Sequence, residues 1–436
     1  MTYKSGHCNV VQVKVNRRIG PPADRAPSRS VLLVHRFYEP DVTTYSQMLS
    51  MIASQLKLDG FDVDVFTTQP SYNGIYEGPN LPRTRVEDGV SVFRAQIPGG
   101  SNSVGRLIGG FLFGLRLVAR TAFRRKKYDI VMVSTVPPVA MGMFGLAAAR
   151  ISGAELVYHC MDLYPEIALA SGHAPPGIVA KLARSLDSRT ISAAAKTVVL
   201  SEDMKQTIAD RGSPTDNVHV QNNFTINSND ESLTSHVELP AGLGPSENFR
   251  LLFAGNIGRF QGLPELLEGF AINHQRESSD TAELVFLGAG AAKDALREQV
   301  ERLGLSEVVR FVDHQPLEVA MEAMKQADLA IVSLGPGLIR SAYPSKTVMY
   351  LEMGCRVLAV VEPDSELAEL VEGEDLGTVA KPGDPIAIAD AILTERARQA
   401  SKDDALRSRS VAASHFAPES VLPKWTTLMH SIGEQA

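Results

Sequence analysis

Short apolar runs alternate with amphipathic stretches along this chain, in two zones. In the first zone the runs predict strands at 31–35, 63–66, 90–93, 130–133, 156–158 and 197–200, with helical patterns such as 47–58 and 178–194 between them. The second zone predicts strands at 251–254, 284–287, 308–312, 329–332 and 357–360, separated or followed by helices near 264–270, 291–303 and 385–400. Asp384 and Pro385 give the last of these a clear start, an N-cap followed by proline at the first helical position. Continuous apolar strands alternating with helices predict parallel sheets covered on both faces. The fold class is therefore α/β, with two doubly wound, Rossmann-like domains facing each other across a cleft. Ligands in such sheets bind beyond the carboxyl ends of the strands. The stretch 227–248, rich in Ser, Glu, Gly and Pro, reads as a linker. It separates a first domain, 30–226, from a second, 249–415.

Composition agrees with two domains. A chain of 436 residues exceeds one ordinary core, and 44% hydrophobic with 21% charged residues is globular. A net charge of −7 argues against nucleic-acid binding. Cys8, Cys160 and Cys355 show neither metal spacing nor a disulfide framework, which predicts a reducing cytoplasm and no bound metal or cofactor. Residues 1–29 are basic and lack the apolar run of a signal peptide, so they read as a disordered tail or as a contact for an anionic surface. The uncharged run 130–149 is split by Pro137-Pro138 into a strand and a helix, which argues against a membrane span.

Four segments carry candidate chemistry in the second domain. Pro344-Ser345-Lys346 opens a short helix that Gly354 stops. A helix N-terminus suits an anion, and Lys346 adds a full charge there. Gly255-Asn256-Ile257-Gly258-Arg259-Phe260-Gln261-Gly262 joins a strand to a helix. Its glycines permit close backbone approach to a ligand, and Arg259 either forks onto a phosphate or is solvated. Gly288-Ala289-Gly290 repeats that geometry, though a glycine pair fits any tight turn. Asp313-His314 ends the third strand, within reach of a base or ribose, or forms a surface turn.

In this order and spacing the motifs resemble the family-four retaining glycosyltransferases. The closest resemblance is to the bacterial subgroup that builds lipopolysaccharide and exopolysaccharide, amino-sugar transferases included. It covers roughly residues 30–433. It implies the GT-B architecture, with the segment 416–433 returning as a helix onto the first domain. It also implies metal-independent transfer of a hexosyl or N-acetylhexosaminyl group from a nucleoside-diphosphate sugar, UDP-linked, to a membrane-associated glycan or lipid-linked acceptor. The donor set carried over is Gly255, Asn256, Gly258, Arg259, Gln261, Gly288, Gly290, His314, Pro344, Ser345, Lys346 and Glu352. The chain departs from the family at several points. Ser341 and Met349 stand where the family carries two glutamates eight positions apart. Gln261 replaces a phosphate lysine, a charge that Lys346 can supply, and Glu352 is the candidate for the lost ribose contact. Thr43-Thr44-Tyr45 replaces a double glycine in the first loop.

On the acceptor side the subgroup carries a Ser-x-Pro-Pro turn and an Asp-Leu-Trp-Pro-Glu motif. Here they read Ser134-Thr135-Val136-Pro137-Pro138 and Asp162-Leu163-Tyr164-Pro165-Glu166. Asp162 and Glu166 can orient an acceptor hydroxyl, or else cap the next helix and sit in its first turn. His159 either acts as a base or hydroxyl ligand, or is a structural strand-end histidine. In the stretch 103–127, Leu107, Ile108, Phe111, Leu112, Leu115 and Val118 share one helical face. Arg106, Arg116, Arg120 and Arg124 share the other, with Phe113 and Leu117 among them. Such a helix either packs its apolar face on a sheet or lies on an anionic membrane, at the inner face of the plasma membrane. Two other functions fit the same motifs: a nucleotide-sugar epimerase, and a weakened nucleotide-sugar-binding scaffold suggested by Ser341 and Met349.

Overall fold

The computed structural model describes residues 28–433 apart from 42, 72–77, 98–102, 124–125, 171, 173–175, 227–236, 238, 241, 277–281 and 399–400. The predicted tail, except residues 28–29, and much of the predicted linker lie outside the described residues. The first sheet comprises β1 (Ser30–Val34), β2 (Asp62–Thr68), β3 (Thr84–Glu87), β4 (Val90–Ala95), β5 (Ile130–Ser134), β6 (Glu155–His159), β7 (Lys196–Val199) and β8 (Val218–Val220). Their order is β3-β4-β2-β1-β5-β6-β7-β8, parallel except for the antiparallel β3–β4 pair. The second comprises β9 (Phe249–Ala254), β10 (Ala282–Leu287), β11 (Val309–Val312), β12 (Leu329–Ser333), β13 (Val357–Val360) and β14 (Gly377–Ala380). Their order, β11-β10-β9-β12-β13-β14, is parallel throughout. Strand order reverses between β1 and β5 and between β9 and β12, where open α/β sheets form their ligand crevices. Three of the four edge strands, β3, β8 and β14, have no continuous apolar run and are not predicted; the fourth, β11, is.

The central strands are fully buried and rich in Val, Leu and Ile, as parallel strands covered on both sides must be. The Pro385–Ala397 helix starts as its sequence predicts: Asp384 Oδ1 accepts from the amides of Ile386 and Ala387 at 3.1 and 3.0 Å. The Lys402–Phe416 helix runs along the second domain, where Ser408 Oγ donates to Cys355 O at 3.0 Å. The Pro418–His430 helix then lies on the first sheet. Its Trp425 and Met429 join Val31, Leu33 and Met132 in one core, and Arg29 Nη1 donates to Met429 O at 3.1 Å.

The Ser103–Phe123 helix corrects the sheet-packing expectation, because its predicted inner face is the outer one. Phe113 and Leu117 are fully buried, while Leu107, Ile108, Phe111 and Leu115 are exposed. Glycines decide the orientation. A Cβ on Gly110 would stand 3.0 Å from the Pro137 ring, and one on Gly114 would overlap Phe144 at 2.0 Å, so this glycine edge must face the Ala140–Ser152 helix. Arg120 also points inward, its guanidinium 3.6 Å from the centroid of the Phe93 ring. No described helix is long and apolar enough to cross a membrane.

The two sheets meet at their carboxyl ends. Asp162, beyond β6, forms an antiparallel bridge with Ala342, beyond β12, and Leu163 N donates to Ser341 O at 2.8 Å.

Candidate active site

The loops after β9 and β10 form one unit. Ile257 N donates to Ala289 O at 2.9 Å, and Ala292 N returns to Ile257 O at 3.0 Å. A Cβ on Gly288 would sit 2.0 Å from Gly255 O, and one on Gly290 would sit 2.2 Å from Ile257 O. Gly288 and Gly290 are thus required by loop-on-loop packing. Gly255 and Gly288 also hold φ of +129° and +143°, which a side chain would strain. The Gln261 side chain braces the turn above them, its Oε1 accepting from Gly258 N at 3.3 Å. Asn256 and Arg259 are exposed on that turn.

Lys346 begins the Lys346–Met353 helix at the same edge. Its Nζ is buried, has no hydrogen-bond partner, and lies 3.5 Å from the centroid of the Phe253 ring. Burial pulls this ammonium down to about 7. A Cβ on Gly255 would stand 4.0 Å from Nζ, so lysine and glycine loop are neighbours. Thr347 Oγ1, in the same turn, is also buried and unpartnered. Pro344 is buried and Ser345 exposed before them. Two unsatisfied polar atoms at a helix N-terminus fit an anionic group.

Met349 and Glu352 follow at three-residue intervals on the same helix. Met349 packs half-buried against the core, and half-buried Glu352 has its carboxyl pushed up to about 7 by desolvation. Ser341 is buried and gives its carbonyl to the first domain. Asp313 pairs with Lys293 at 2.5 Å, and Lys293 Nζ also reaches Gly288 O at 3.3 Å, which ties the end of β11 to the glycine loop. His314 beside it is exposed.

On the facing domain the predicted residues separate. Asp162 is half-buried at the junction of the domains, and desolvation lifts its carboxyl to about 6. For His159 the contacts favour the structural strand-end alternative, because it is buried against Tyr45 and Trp425. Its Nδ1 meets Tyr45 Oη at 2.9 Å, and its ring packs edge-on against Trp425 at 4.8 Å. Burial drops its pKa to about 3, so it is a neutral packing group between the first sheet and the last helix. Glu166 is corrected. It occupies the first turn of the Glu166–Ala170 helix and is bound by Arg184 Nε at 2.8 Å and by Arg211 Nε at 3.0 Å. Arg211 also pairs with Asp187 at 2.6 Å, and Asp187 accepts from Tyr158 Oη at 2.9 Å. A carboxylate so neutralised is not free to orient a hydroxyl.

Sequence reasoning overlooked His35, which is buried at the end of β1 with Nδ1 2.5 Å from Ser134 Oγ at the end of β5. Its signal was a polar residue closing an apolar strand at the switch point. Thr347 was overlooked too, because nothing in a threonine reveals that its hydroxyl lacks a partner.

The whole architecture is similar to sucrose-phosphate synthase from Thermosynechococcus elongatus, with a TM-score of 0.71, 15% identity, and coverage of 94% of this chain and 100% of that one. Residues 43–223 match the family described as glycosyl transferase 4-like domain, and residues 248–395 match glycosyl transferases group 1. The chain carries both domains of a GT-B glycosyltransferase. Over 305 residues this glycosyltransferase is 26% identical to the probable glycosyltransferase WbjE of Pseudomonas aeruginosa, covering 67% of this chain and 71% of that protein. It is also similar to Anabaena HepE, solved with UDP, with a TM-score of 0.66, 18% identity, and coverage of 92% and 100%. The 4-like domain of the glycosyltransferase contains Asp162, and its group 1 domain contains Arg259 and Lys346.

Proposed function

We propose that this glycosyltransferase moves a hexosyl or N-acetylhexosaminyl group, with retention and without a metal ion, from a UDP-sugar to a glycan or lipid-linked acceptor at a membrane surface. The observation that carries the reading is the Lys346 ammonium, buried and unpartnered at a helix N-terminus beside the glycine loop. Similarity to HepE, solved with UDP and with UDP-glucose, supports the choice of donor. Lys346, Arg259 and the helix N-terminus offset the negative charge that grows on the departing diphosphate as the bond to the anomeric carbon breaks. Asp162 orients the acceptor hydroxyl. Glu352, protonated or not, offers the hydrogen-bonding group that Met349 lacks toward a ribose.

The exposed Leu107, Ile108, Phe111 and Leu115 support contact with a membrane, and with it a role in cell-surface polysaccharide synthesis at the inner face of the plasma membrane. The neutral residues Ser341 and Met349 favour a second reading, a nucleotide-sugar-binding scaffold with weak turnover.

Incubation with UDP-hexoses and UDP-N-acetylhexosamines, with and without a bacterial lipid extract, separates the readings. The transferase releases UDP faster with the extract and leaves a glycosylated lipid visible by mass spectrometry. Interconversion of two UDP-sugars would mark an epimerase, and binding without turnover would mark the scaffold.

A further inference from the structure

The Glu202–Asp210 helix of the first domain and the Glu366–Gly373 helix of the second meet N-terminus to N-terminus, and each caps the other. Asp203 Oδ2 accepts from Glu366 N at 2.9 Å, and Glu366 Oε2 accepts from Glu202 N at 2.5 Å. A carboxylate is favoured at a helix N-terminus, so the exchange is attractive in both directions. It also brings two acids together, and Arg340 stands between the domains to balance them. Arg340 Nη1 reaches Asp203 Oδ1 at 2.8 Å, its Nη2 reaches Asp364 Oδ2 at 2.6 Å, and Thr207 Oγ1 donates to Arg340 O at 2.6 Å.

The placement of Arg340 in the chain gives this contact its consequence. The next residue, Ser341, accepts from Leu163 N, and Ala342 bridges to Asp162. The Pro344-Ser345-Lys346 loop follows directly. The root of that loop is therefore fastened to the first domain by the Arg340–Asp203 ion pair and a short stretch of β-pairing, and the two caps join the Glu366–Gly373 helix to the same domain. Parting the domains breaks these contacts together, and it releases the loop from the segment that holds Asp162.

We propose that Arg340 and Asp203 are positioning residues, a latch that couples closure of the cleft to the alignment of the Lys346 loop with Asp162. The proposal deepens the reading of this site as one for a UDP-sugar donor and rests on that reading. Neither residue touches the reacting atoms; they act through the loop.

The test uses the full chain with Asp203→Ala, Arg340→Ala, the double variant and Arg340→Lys. UDP is the binding probe, and small-angle X-ray scattering reads closure. The latch predicts a larger radius of gyration for both alanine variants and UDP affinity within about twofold of the parent, since the diphosphate contacts lie in the second domain. It predicts a kcat lowered about tenfold or more, because misplacement of reacting groups is costly. The double variant should be no worse than the poorer single one, and Arg340→Lys should regain part of the loss. Unchanged scattering and kcat in the alanine variants would overturn the latch, as would additive losses that track only the melting temperature. A parent protein that binds no UDP would overturn the donor reading, and the scattering comparison would still decide the latch.

Discussion

Lys346 Nζ lies 3.5 Å from the centroid of the Phe253 ring and touches no hydrogen-bond acceptor. A ring face compensates only part of the lost hydration of an ammonium. The free protein therefore carries an unrelieved cost at this position, the kind of local destabilisation that functional sites retain. The sign follows from the shift. The folded pKa is about 7 against 10.5 for an ordinary lysine, so between these values the unfolded chain binds more protons and stability rises with pH. Below pH 7 the penalty is fully present. Lys346→Met should raise the melting temperature of the ligand-free protein, by about 2–4 °C per kcal/mol relieved. The gain should be largest below pH 7 and fade toward pH 10.5. Differential scanning calorimetry across that range checks it; a lower melting temperature at pH 6 would count against a strained lysine.

Asp162 gives the acceptor side a pH signature. Its carboxyl is pushed up to about 6 by desolvation, so the charged form is lost as pH falls through that value. The rate kcat/KM for transfer should rise through pH 6 and fall again above about pH 7, where free Lys346 has lost its proton. Asp162→Asn should lower kcat by about 10²-fold or more and abolish that rising limb. An identical pH profile in the variant would assign the limb to another group.

Glu166 separates stability from chemistry. Its removal leaves Arg211 with Asp187 as its remaining carboxylate partner, in a pair whose side chains are each 3% exposed. Glu166→Gln should destabilise the protein by roughly 2–3 kcal/mol, less than breaking a buried pair outright. The kcat of the folded fraction should stay within about twofold. Urea unfolding together with active-site titration distinguishes this from a catalytic role, in which kcat would fall as far as in Asp162→Asn.

The Ser103–Phe123 helix makes the membrane reading testable without unfolding the domain. Leu107→Asp with Ile108→Asp alters only exposed side chains, so the melting temperature should hold while binding to vesicles containing phosphatidylglycerol drops about tenfold. Arg120→Glu is a poorer probe. It would place an acid on the Phe93 face and lower stability before it reported on lipid. Undiminished vesicle sedimentation of the double aspartate variant would remove this face from consideration.

Much of the fold was legible in the chain because parallel strands buried on both faces must be continuously apolar, and nearly every central strand is. The edges β3, β8 and β14 escaped because they are short and interrupted by Thr, Arg, Glu, His or Gly, whereas the edge strand β11 kept enough apolar residues to be read. The donor loops were legible as glycine turns after strands, but one cause was not: Gly288 and Gly290 also let their loop pack on the Gly255–Ile257 backbone. The Ser103–Phe123 helix misled because a helical wheel weighs side chains by hydrophobicity, whereas Gly110 and Gly114 were selected for the close approach of a neighbour. His159 and Glu166 misled in a related way. Their positions in the chain put them near the cleft, but Tyr45, Trp425, Arg184 and Arg211 come from distant segments and claim them.

Titration calorimetry of UDP into the parent and Lys346→Met proteins at pH 8 tests the central claim most directly. A buried ammonium half-deprotonated near pH 7 should regain its proton when a diphosphate arrives. Runs in buffers of different ionisation enthalpy should then show uptake of about one proton per UDP, with a loss of about tenfold or more in affinity and no uptake in Lys346→Met. Equal affinity and equal proton uptake in the two proteins would contradict the assignment of Lys346 to the diphosphate.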